Sequence, residues 1–470
     1  MTTSLFAADA LLPDGWARDV LLEWDATGRL TQVRRGVERP EAAAIAAGPV
    51  IPGMPNLHSH AFQRAFAGLT EYRAAQHDSF WSWRELMYRF AARLGPQQLE
   101  SIATWLYAEM LEAGYTSVCE FQYLHHQTDG RPYADDAELS HALIRAAART
   151  GIGFTLLPVL YQTSGFGGSP PNEGQRRFIR STESMLRLLD TVGPACEAHG
   201  ARLGLAPHSL RAVPPEALRD ALAGLDALDP LAPIHIHIAE QSREVDECLA
   251  WSGQRPVAWL LDHASVDARW CLVHATHMDA DEYRRAASSG AVAGLCPSTE
   301  ANLGDGLFDF PAWRTHAGAW GLGSDSHVCV NAAEELMLLE YGQRLALRQR
   351  NVGASPADAH AHAHAHAHAH VATALTLAAV SGGARASGRD VAGIAVGQLA
   401  DLVVLDAGHL ALQGLCADQM LSAHVFASHR GSAIDAVWVA GQQRVVAKRH
   451  ALHEAAAAAF VAARTELLKD

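Results

Sequence analysis

Eight short apolar segments alternate with long amphipathic segments between residues 50 and 330, and this alternation predicts a (β/α)8 TIM-type barrel. The eight strand candidates are PVIPGMPNL, YTSVCEF, IGFTLLPVL, ARLGLAP, PIHIHIA, RWCLVHA, AVAGLCP and AWGLGSD. Segments between them, such as PQQLESIATWLYAEMLEAG, carry apolar residues at helical spacing. The length of 470 residues suits a large barrel with one smaller module.

The two ends of the chain contain the remaining β-like segments. SLFAADALL and DVLLEWDATGRLTQV lie before residue 50, and ADLVVLD and AVWVAGQQRVV lie after residue 390. Because neither end is long enough for a domain of its own, we predict that they pair as a small β-sandwich. The predicted division is therefore 1–50 and 391–450 for the sandwich, 51–390 for the barrel and 451–470 for an alanine-rich terminal helix.

Composition excludes several classes of partner and compartment. The net charge of −14 disfavours binding to nucleic acid or to an anionic membrane surface, because like charges repel. Seven cysteines without a CxxC pair argue against a disulfide framework or a zinc–cysteine cluster, and favour a reducing compartment. The N-terminus lacks the pattern of a signal peptide, and no apolar run reaches membrane-spanning length, so we predict a cytoplasmic protein.

Histidine is overrepresented, with 26 copies. Six of them alternate with alanine between His360 and His370. Such a low-complexity run could bind transition metals, but we interpret it as a solvated surface segment whose role the sequence leaves open.

Two histidine motifs lie at the ends of predicted strands. In LHSH, His58 and His60 are two residues apart, so strand alternation would direct both imidazoles to one face. In HIHIAE, His237 lies nearer the end of the strand than His235, which favours His237 as a metal ligand and His235 as a packed neighbour. Glu240 follows three residues later and is a candidate proton carrier beside an activated water.

Two further strand ends complete the predicted site. His274 ends the sixth strand candidate, and Asp325 follows the eighth. Three histidines and one aspartate (His58, His60, His237 and Asp325) would form a single-ion site at the carboxyl mouth of the barrel. His208, and no lysine, follows the fourth strand candidate, so a two-metal site bridged by a carboxylated lysine is not supported.

These motifs together resemble the amidohydrolase superfamily, in its mononuclear deaminase branch. The matching positions are His58, His60, His237, Glu240, His274 and Asp325. The strand ADLVVLD is also similar to the C-terminal sandwich of that superfamily, so the resemblance spans essentially the whole chain. It implies one divalent ion, with Zn²⁺ first and Fe²⁺ as the alternative, and a homodimer.

Longer strings narrow the resemblance. PNLHSHAFQRAFAGL, DSFWSWRELMY and CPSTEANLGDGLF are similar to the formimidoylglutamate deiminase family of histidine degradation. The resemblance implies hydrolysis of N-formimino-L-glutamate to N-formyl-L-glutamate and ammonia. It also implies substrate contacts from Gln63, Arg84, Tyr123, His208 and Arg211.

The substrate predicted by this resemblance has two carboxylates, and arginine binds carboxylates in bidentate fashion. From the residues alone, Arg84 and Arg211 could equally form surface ion pairs. In the expected reaction, Asp325 and His274 orient the attacking water and Glu240 delivers a proton to the leaving nitrogen. How the proton transfers divide between His274 and Glu240 stays open.

Two other functions are alternatives to the hydrolysis of N-formimino-L-glutamate. A nucleobase deaminase of the guanine or cytosine type would need aromatic stacking and amides for the base edge in place of two arginines. A non-catalytic barrel scaffold would be expected to have lost metal ligands, whereas all the candidate ligands are present here.

Overall fold

The computed structural model describes residues 3–71, 80–354, 369–428 and 433–469. Its strands are β1 Thr3–Leu12, β2 Gly15–Trp24, β3 Leu30–Arg34, β4 Ala44–Ile45, β5 Val50–Pro52, β6 Met54–Ser59, β7 Tyr115–Gln122, β8 Gly153–Leu160, β9 Arg202–Leu203, β10 Ala206–Pro207, β11 Ile234–Ile238, β12 Trp270–His274, β13 Val292–Leu295, β14 Ala319–Leu322, β15 Leu402–Leu405, β16 Ile434–Val439, β17 Gln442–Val446 and β18 Arg449–His450.

Helices connect and cover these strands. They are α1 Phe80–Ala91, α2 Pro96–Glu112, α3 Glu138–Thr150, α4 Thr182–Ala198, α5 Pro215–Leu228, α6 Ser242–Ser252, α7 Pro256–His263, α8 Ala280–Ser289, α9 Pro297–Leu303, α10 Phe310–Thr315, α11 Ala332–Leu347, α12 Val371–Ser387, α13 Ala417–Phe426 and α14 His453–Leu467, with 3₁₀ turns at Ala61–Phe66 and Glu173–Gln175.

The barrel sheet is parallel throughout, in the order β10-β8-β7-β6-β14-β13-β12-β11, with β9 beside β8. Its two ends meet, because the His235 amide donates to the Leu205 carbonyl at 3.1 Å and the His237 amide to the His208 carbonyl at 3.0 Å. The sheet therefore closes, and the predicted (β/α)8 class is confirmed.

Apolar side chains pack against both faces of the barrel strands, which explains their continuous hydrophobic runs. In β12, Leu272 belongs to the large core on the helix side, whereas Cys271 and Val273 belong to a separate cluster with Leu57 and Val292. Because successive strand residues face opposite sides, the second cluster occupies the other face of the sheet.

The two chain ends pair with each other, as predicted, and the strands form one sheet in the order β18-β17-β16-β15-β5-β1-β2-β3, with β4 beside β1. β15 joins the two ends, because it pairs antiparallel with both β5 and β16. The turn between β2 and β3 also contacts the other end of the chain. Gly28 has a φ of +80°, and a Cβ there would lie 2.1 Å from the Ala440 carbonyl oxygen, so only glycine fits.

The predicted terminal helix is α14, and Phe460 on it packs near Trp105 of α2. Among the described helices, none is both long and apolar enough to cross a membrane. Residues 360–368 of the histidine–alanine run lie outside the described residues, so the interpretation of that run stays a prediction.

Candidate metal centre and substrate pocket

The predicted metal ligands come from three barrel strands that are distant in sequence. His58 lies in β6, His237 lies in β11, His60 follows β6 directly, and Asp325 lies three residues past β14. Parallel strands bring their carboxyl ends to one mouth of the barrel. Two backbone hydrogen bonds join these segments, because the Asp325 amide donates to the His58 carbonyl at 3.0 Å and the His60 amide to the Asp325 carbonyl at 3.3 Å.

The side-chain donor atoms of these four residues converge. The Nε2 atoms of His58 and His237 are 2.9 Å apart. Asp325 Oδ1 lies 3.5 Å from His58 Nε2 and 3.3 Å from His60 Nε2. All four side chains are buried. The structure thus brings together the four residues that the sequence nominated.

The charge states of these residues suit a bound cation. Burial lowers the pKa of His58 to about 3 and also lowers the pKa values of His60 and His237, so the three imidazoles stay neutral and keep a lone pair. Burial alone would raise the pKa of Asp325, but the hydrogen bond with His58 and the positive charge of nearby His274 hold it well below its usual range.

The ring nitrogens of the three histidines fit a divalent ion. Two neutral imidazoles that face each other at 2.9 Å can share at most one proton, while the Nδ1 atoms of His58 and His237 are buried without a hydrogen-bond partner. A cation between the rings would satisfy both Nε2 lone pairs. His60 is fixed from behind, because its Nδ1–H donates to the Phe121 carbonyl at 2.9 Å and leaves Nε2 for the site.

Left-handed backbone marks the ends of three barrel strands at this centre. Ala239, His274 and Asp325 have φ values of 50°, 66° and 43°. Non-glycine residues adopt this region rarely, and they do so mainly where the surrounding structure enforces it. Strand alternation alone therefore does not determine where the side chains of His274 and Asp325 point, because the left-handed backbone at these residues changes the direction of both.

His274 lies among three carboxylates. Its Nδ1 is 3.3 Å from Glu300 Oε1, and its Nε2 is 3.8 Å from Glu240 Oε1 and 3.7 Å from Asp325 Oδ2. Burial lowers the pKa of His274, but the carboxylates outweigh burial and raise the pKa to about 10. Burial raises the pKa of Glu240 to about 7, which suits a group that accepts and releases protons near neutral pH.

A pocket with about 590 Å³ of empty space opens beside the donor cluster. It is lined by every predicted substrate residue and by most of the predicted metal and catalytic residues. These lining residues are Gln63, Arg84, Tyr123, His208 and Arg211, together with His60, His237, Glu240, His274 and Asp325.

The two arginines differ in their surroundings. Arg211 is buried, with 7% exposure, and its guanidinium makes no hydrogen bond or ion pair to any residue in the described part of the chain; its Nε is fully enclosed. Burial disfavours its charge, but nearby carboxylates, Glu244 first, raise its pKa. Arg84 lies on α1, where its Nη2 donates to the Tyr161 hydroxyl at 3.2 Å. Both guanidinium groups face the pocket.

Three neutral polar groups complete the pocket. Gln63 Nε2 donates to the Tyr123 hydroxyl at 2.8 Å, and this bond leaves Gln63 Oε1 buried without a partner. His208 Nδ1 lies 3.1 Å from Ser209 Oγ. Burial, followed by the charges of Arg211 and Arg84, holds the pKa of His208 well below its usual range, so the ring is neutral.

Comparison with known proteins agrees with this geometry. The family described as "Amidohydrolase family" matches residues 50–444, and the family described as "Formimidoylglutamate deiminase HutF, N-terminal domain" matches residues 2–44. The chain belongs to the amidohydrolase family. The two matches together cover the barrel and most of the sheet built from the chain ends.

Individual relatives of this amidohydrolase are similar over most or all of their length. A formimidoylglutamate deiminase from Pseudomonas aeruginosa is 51% identical, and the match covers 99% of this chain and 100% of that protein. An 8-oxoguanine deaminase from the same species is 28% identical over 88% of each chain. A crystal structure of an amidohydrolase from Brucella melitensis has 46% identity and a TM-score of 0.92, covering 99% of this chain and 100% of that one.

Sequence reasoning missed several residues at the site of this amidohydrolase. Glu300, which contacts His274, follows the seventh barrel strand, and an acid at that position was a usable signal. Glu120 and Tyr161 gave no signal, because a lone acid inside an apolar strand and a lone aromatic after a strand are common in structural roles. Their positions near the site depend on packing between strands.

Proposed function

We propose that this amidohydrolase removes the formimino nitrogen of N-formimino-L-glutamate as ammonia and leaves N-formyl-L-glutamate, a step in histidine degradation. The relative that is 51% identical over nearly the whole chain carries this activity in its name. The observation that carries the proposal is Arg211, a buried guanidinium that lies within ion-pair distance of no carboxylate in the described part of the chain, in the same pocket as the donor cluster. A buried cation requires a counter-charge, and a substrate carboxylate supplies one.

We further propose that His58, His60, His237 and Asp325 hold one divalent ion. Imidazole and carboxylate donors suit Zn²⁺ first and Fe²⁺ second. When bound, such an ion supplies Lewis-acid chemistry and activates water for attack near neutral pH.

The two ends of the pocket would orient the substrate. Arg211 and Arg84 bind the carboxylates. His208 assists when the Ser209 hydroxyl donates to its Nδ1, because its Nε2–H can then donate to a carboxylate. At the other end, the unpartnered Oε1 of Gln63 accepts a hydrogen bond from the formamidine-like group, and Glu240 lies beside that group.

Proton transfers are assigned to three side chains. Asp325, ionised and 3.7 Å from His274, accepts a proton from the attacking water while His274 helps to orient that water. Oxygen adds to the formimino carbon and gives a tetrahedral adduct. With the substrate as its amidinium, this adduct is neutral, and protonated Glu240 delivers a proton to the amino nitrogen, so that the C–N bond breaks and ammonia leaves. The ionised Glu240 then accepts the hydroxyl proton as the formyl group forms, and the proton on Asp325 passes to solvent.

An ammonia-release assay on protein of known metal content tests the proposal. We expect turnover of N-formimino-L-glutamate and none of guanine or cytosine. The reverse preference would favour the nucleobase deaminase alternative. A metal-loaded protein without turnover of any of these compounds would favour a non-catalytic scaffold.

Location and assembly are further parts of the proposal. None of the seven cysteines, which all lie in the described part of the chain, forms a disulfide, and this supports a reducing compartment such as the cytoplasm. The homodimer stays a prediction that light scattering of the purified chain tests.

A further inference from the structure

A chain of buried polar side chains runs behind the candidate metal centre. Asn56 Nδ2 lies 2.6 Å from Ser324 Oγ, Ser324 Oγ lies 3.0 Å from His327 Nδ1, and His327 Nε2 lies 3.2 Å from Ser59 Oγ. Ser59 Oγ lies 2.6 Å from Glu120 Oε2. All five side chains are at most 2% exposed, so water does not compete for these bonds.

The direction of every hydrogen bond in this chain follows from its two ends. Asn56 Nδ2 can only donate, and a carboxylate such as Glu120 can only accept. The Ser324 hydroxyl therefore donates to His327 Nδ1, His327 Nε2–H donates to Ser59, and the Ser59 hydroxyl donates to Glu120. A neutral imidazole that donates from Nε2–H leaves Nδ1 as the acceptor for the Ser324 hydroxyl, in agreement with this direction.

Glu120 accepts more than the last bond of the chain. Its Oε1 accepts from the Ala61 amide at 2.6 Å, and its Oε2 also accepts from the Tyr107 hydroxyl at 3.1 Å. Three donors from two segments, the end of β6 and helix α2, thus point at one carboxylate. A neutral amide in its place would turn an N–H toward at least one of these donors and leave that donor unsatisfied.

This network of hydrogen bonds includes at least one sequence neighbour of each of three candidate metal ligands. Ser59 and Ala61 flank His60, Ser59 and Leu57 flank His58, and the amide of His58 lies 3.3 Å from Asn56 Oδ1. On the third segment, Ser324 precedes Asp325, and His327 follows two residues later with a left-handed φ of 61°. Backbone in such conformations persists where surrounding contacts over-determine it, and this chain supplies those contacts.

We propose that Glu120 is a positioning residue, whose carboxylate sets the direction of this chain and so holds His58, His60 and Asp325 in the converging arrangement that binds the ion. The inference rests on the ion site of the proposed function, but not on the identity of the substrate. Residues that orient metal ligands from behind typically contribute about 10- to 100-fold to metal affinity.

The protein contains a matched control for Glu120 outside this network. Glu335 is also buried and also accepts from one backbone amide and one serine hydroxyl, those of Ser298, but it makes none of the contacts around His58, His60 and Asp325. Glu335→Gln therefore changes a buried carboxylate of the same kind away from the proposed network.

The experiment compares full-length wild type, Glu120→Gln and Glu335→Gln in Zn²⁺ release to a chelator and in the visible spectrum of the Co²⁺-substituted protein. We expect Glu120→Gln to release Zn²⁺ at least about tenfold faster, with altered Co²⁺ bands. Glu335→Gln should match wild type in both measurements. The histidines of residues 360–370 are common to all variants, so differences between variants report the centre.

The proposal is overturned if Glu120→Gln keeps wild-type release and spectrum, or if both glutamine variants lose metal equally, because the effect would then be a general loss of stability. If Glu120→Gln does not fold, Ser59→Ala decides the question, since it cuts the chain next to Glu120; unchanged metal release in a folded Ser59→Ala would overturn the proposal. If wild-type protein binds Zn²⁺ but does not turn over N-formimino-L-glutamate, this result contradicts the proposed function alone.

Discussion

The two ends of the pocket are built differently. At the metal end, formed by His58, His60, His237 and Asp325, the candidate ligands come from strand ends. Backbone hydrogen bonds there join β6 to the segment after β14. At the carboxylate end, Arg84 comes from a helix and Arg211 from a loop after β10. Barrel strands hold side chains more rigidly than loops do. From this difference we expect the metal end to determine the chemistry and the carboxylate end to select the substrate.

The largest expected effect is at the metal end. Asp325→Ala removes both a ligand and the proton acceptor, so we expect kcat to fall about 10³-fold or more. Ammonia release normalised to bound metal measures this loss. Asp309→Ala, which removes an exposed helix cap on α10, serves as the control. If kcat of Asp325→Ala falls less than tenfold, substitutions at the metal end would have no larger effect than those at the carboxylate end, which contradicts the comparison.

Glu240→Gln should lower kcat about 10²-fold with little change in KM, because the variant keeps the shape but cannot deliver a proton. In wild type, burial raises the pKa of Glu240 to about 7, so its protonated form is present below pH 7 and is lost above it. The kcat of wild type should therefore decline above about pH 7. A pH–rate profile that keeps this decline in Glu240→Gln would contradict the assignment. Glu454→Gln, which changes an exposed carboxylate at the start of α14, is the matched control.

At the carboxylate end, Arg211→Gln should lower kcat/KM about 10- to 100-fold, mainly through a higher KM, because a charged hydrogen bond contributes about 1.5–3 kcal/mol. Steady-state kinetics separate the two constants. Arg145→Gln, which removes a surface pair with Glu100, should change neither. An effect on kcat alone would place Arg211 with the chemistry, not with substrate selection.

The smallest effect is expected between the two ends. Tyr123→Phe removes the hydroxyl that accepts from Gln63, and loss of one neutral hydrogen bond should lower kcat/KM about fivefold. Tyr341→Phe, at a partly exposed site on α11, controls for the substitution itself. If Gln63→Ala and Tyr123→Phe together cost no more than Gln63→Ala alone, Tyr123 acts by orienting Gln63.

The comparison also shows where sequence reasoning succeeded. LHSH and HIHIAE could be assigned to strand ends, because the apolar periodicity marked where each strand stops. The parallel barrel then required those ends to meet. The substrate residues were different, since Arg84 and Arg211 follow no local rule and were nominated by resemblance to a family.

Several features were beyond any local pattern. The direction of His274 and Asp325 depends on left-handed backbone at those residues, where alternation no longer applies. The hydrogen bonds from Ser59 and Ala61 to Glu120 cross about sixty positions of the chain, with sequence separations of 61 and 59. The boundaries predicted at residues 50, 390 and 450 remain our division of the chain into domains.

The sequence by itself determined the barrel, the pairing of both chain ends and the nomination of the metal ligands, because these follow from local periodicity and from the closure that a parallel sheet imposes. The tertiary structure alone decided the charge states, the unpartnered guanidinium of Arg211 and the buried chain that ends at Glu120. These depend on burial and on distances between remote segments, which set desolvation and hydrogen bonding and leave no mark on neighbouring residues.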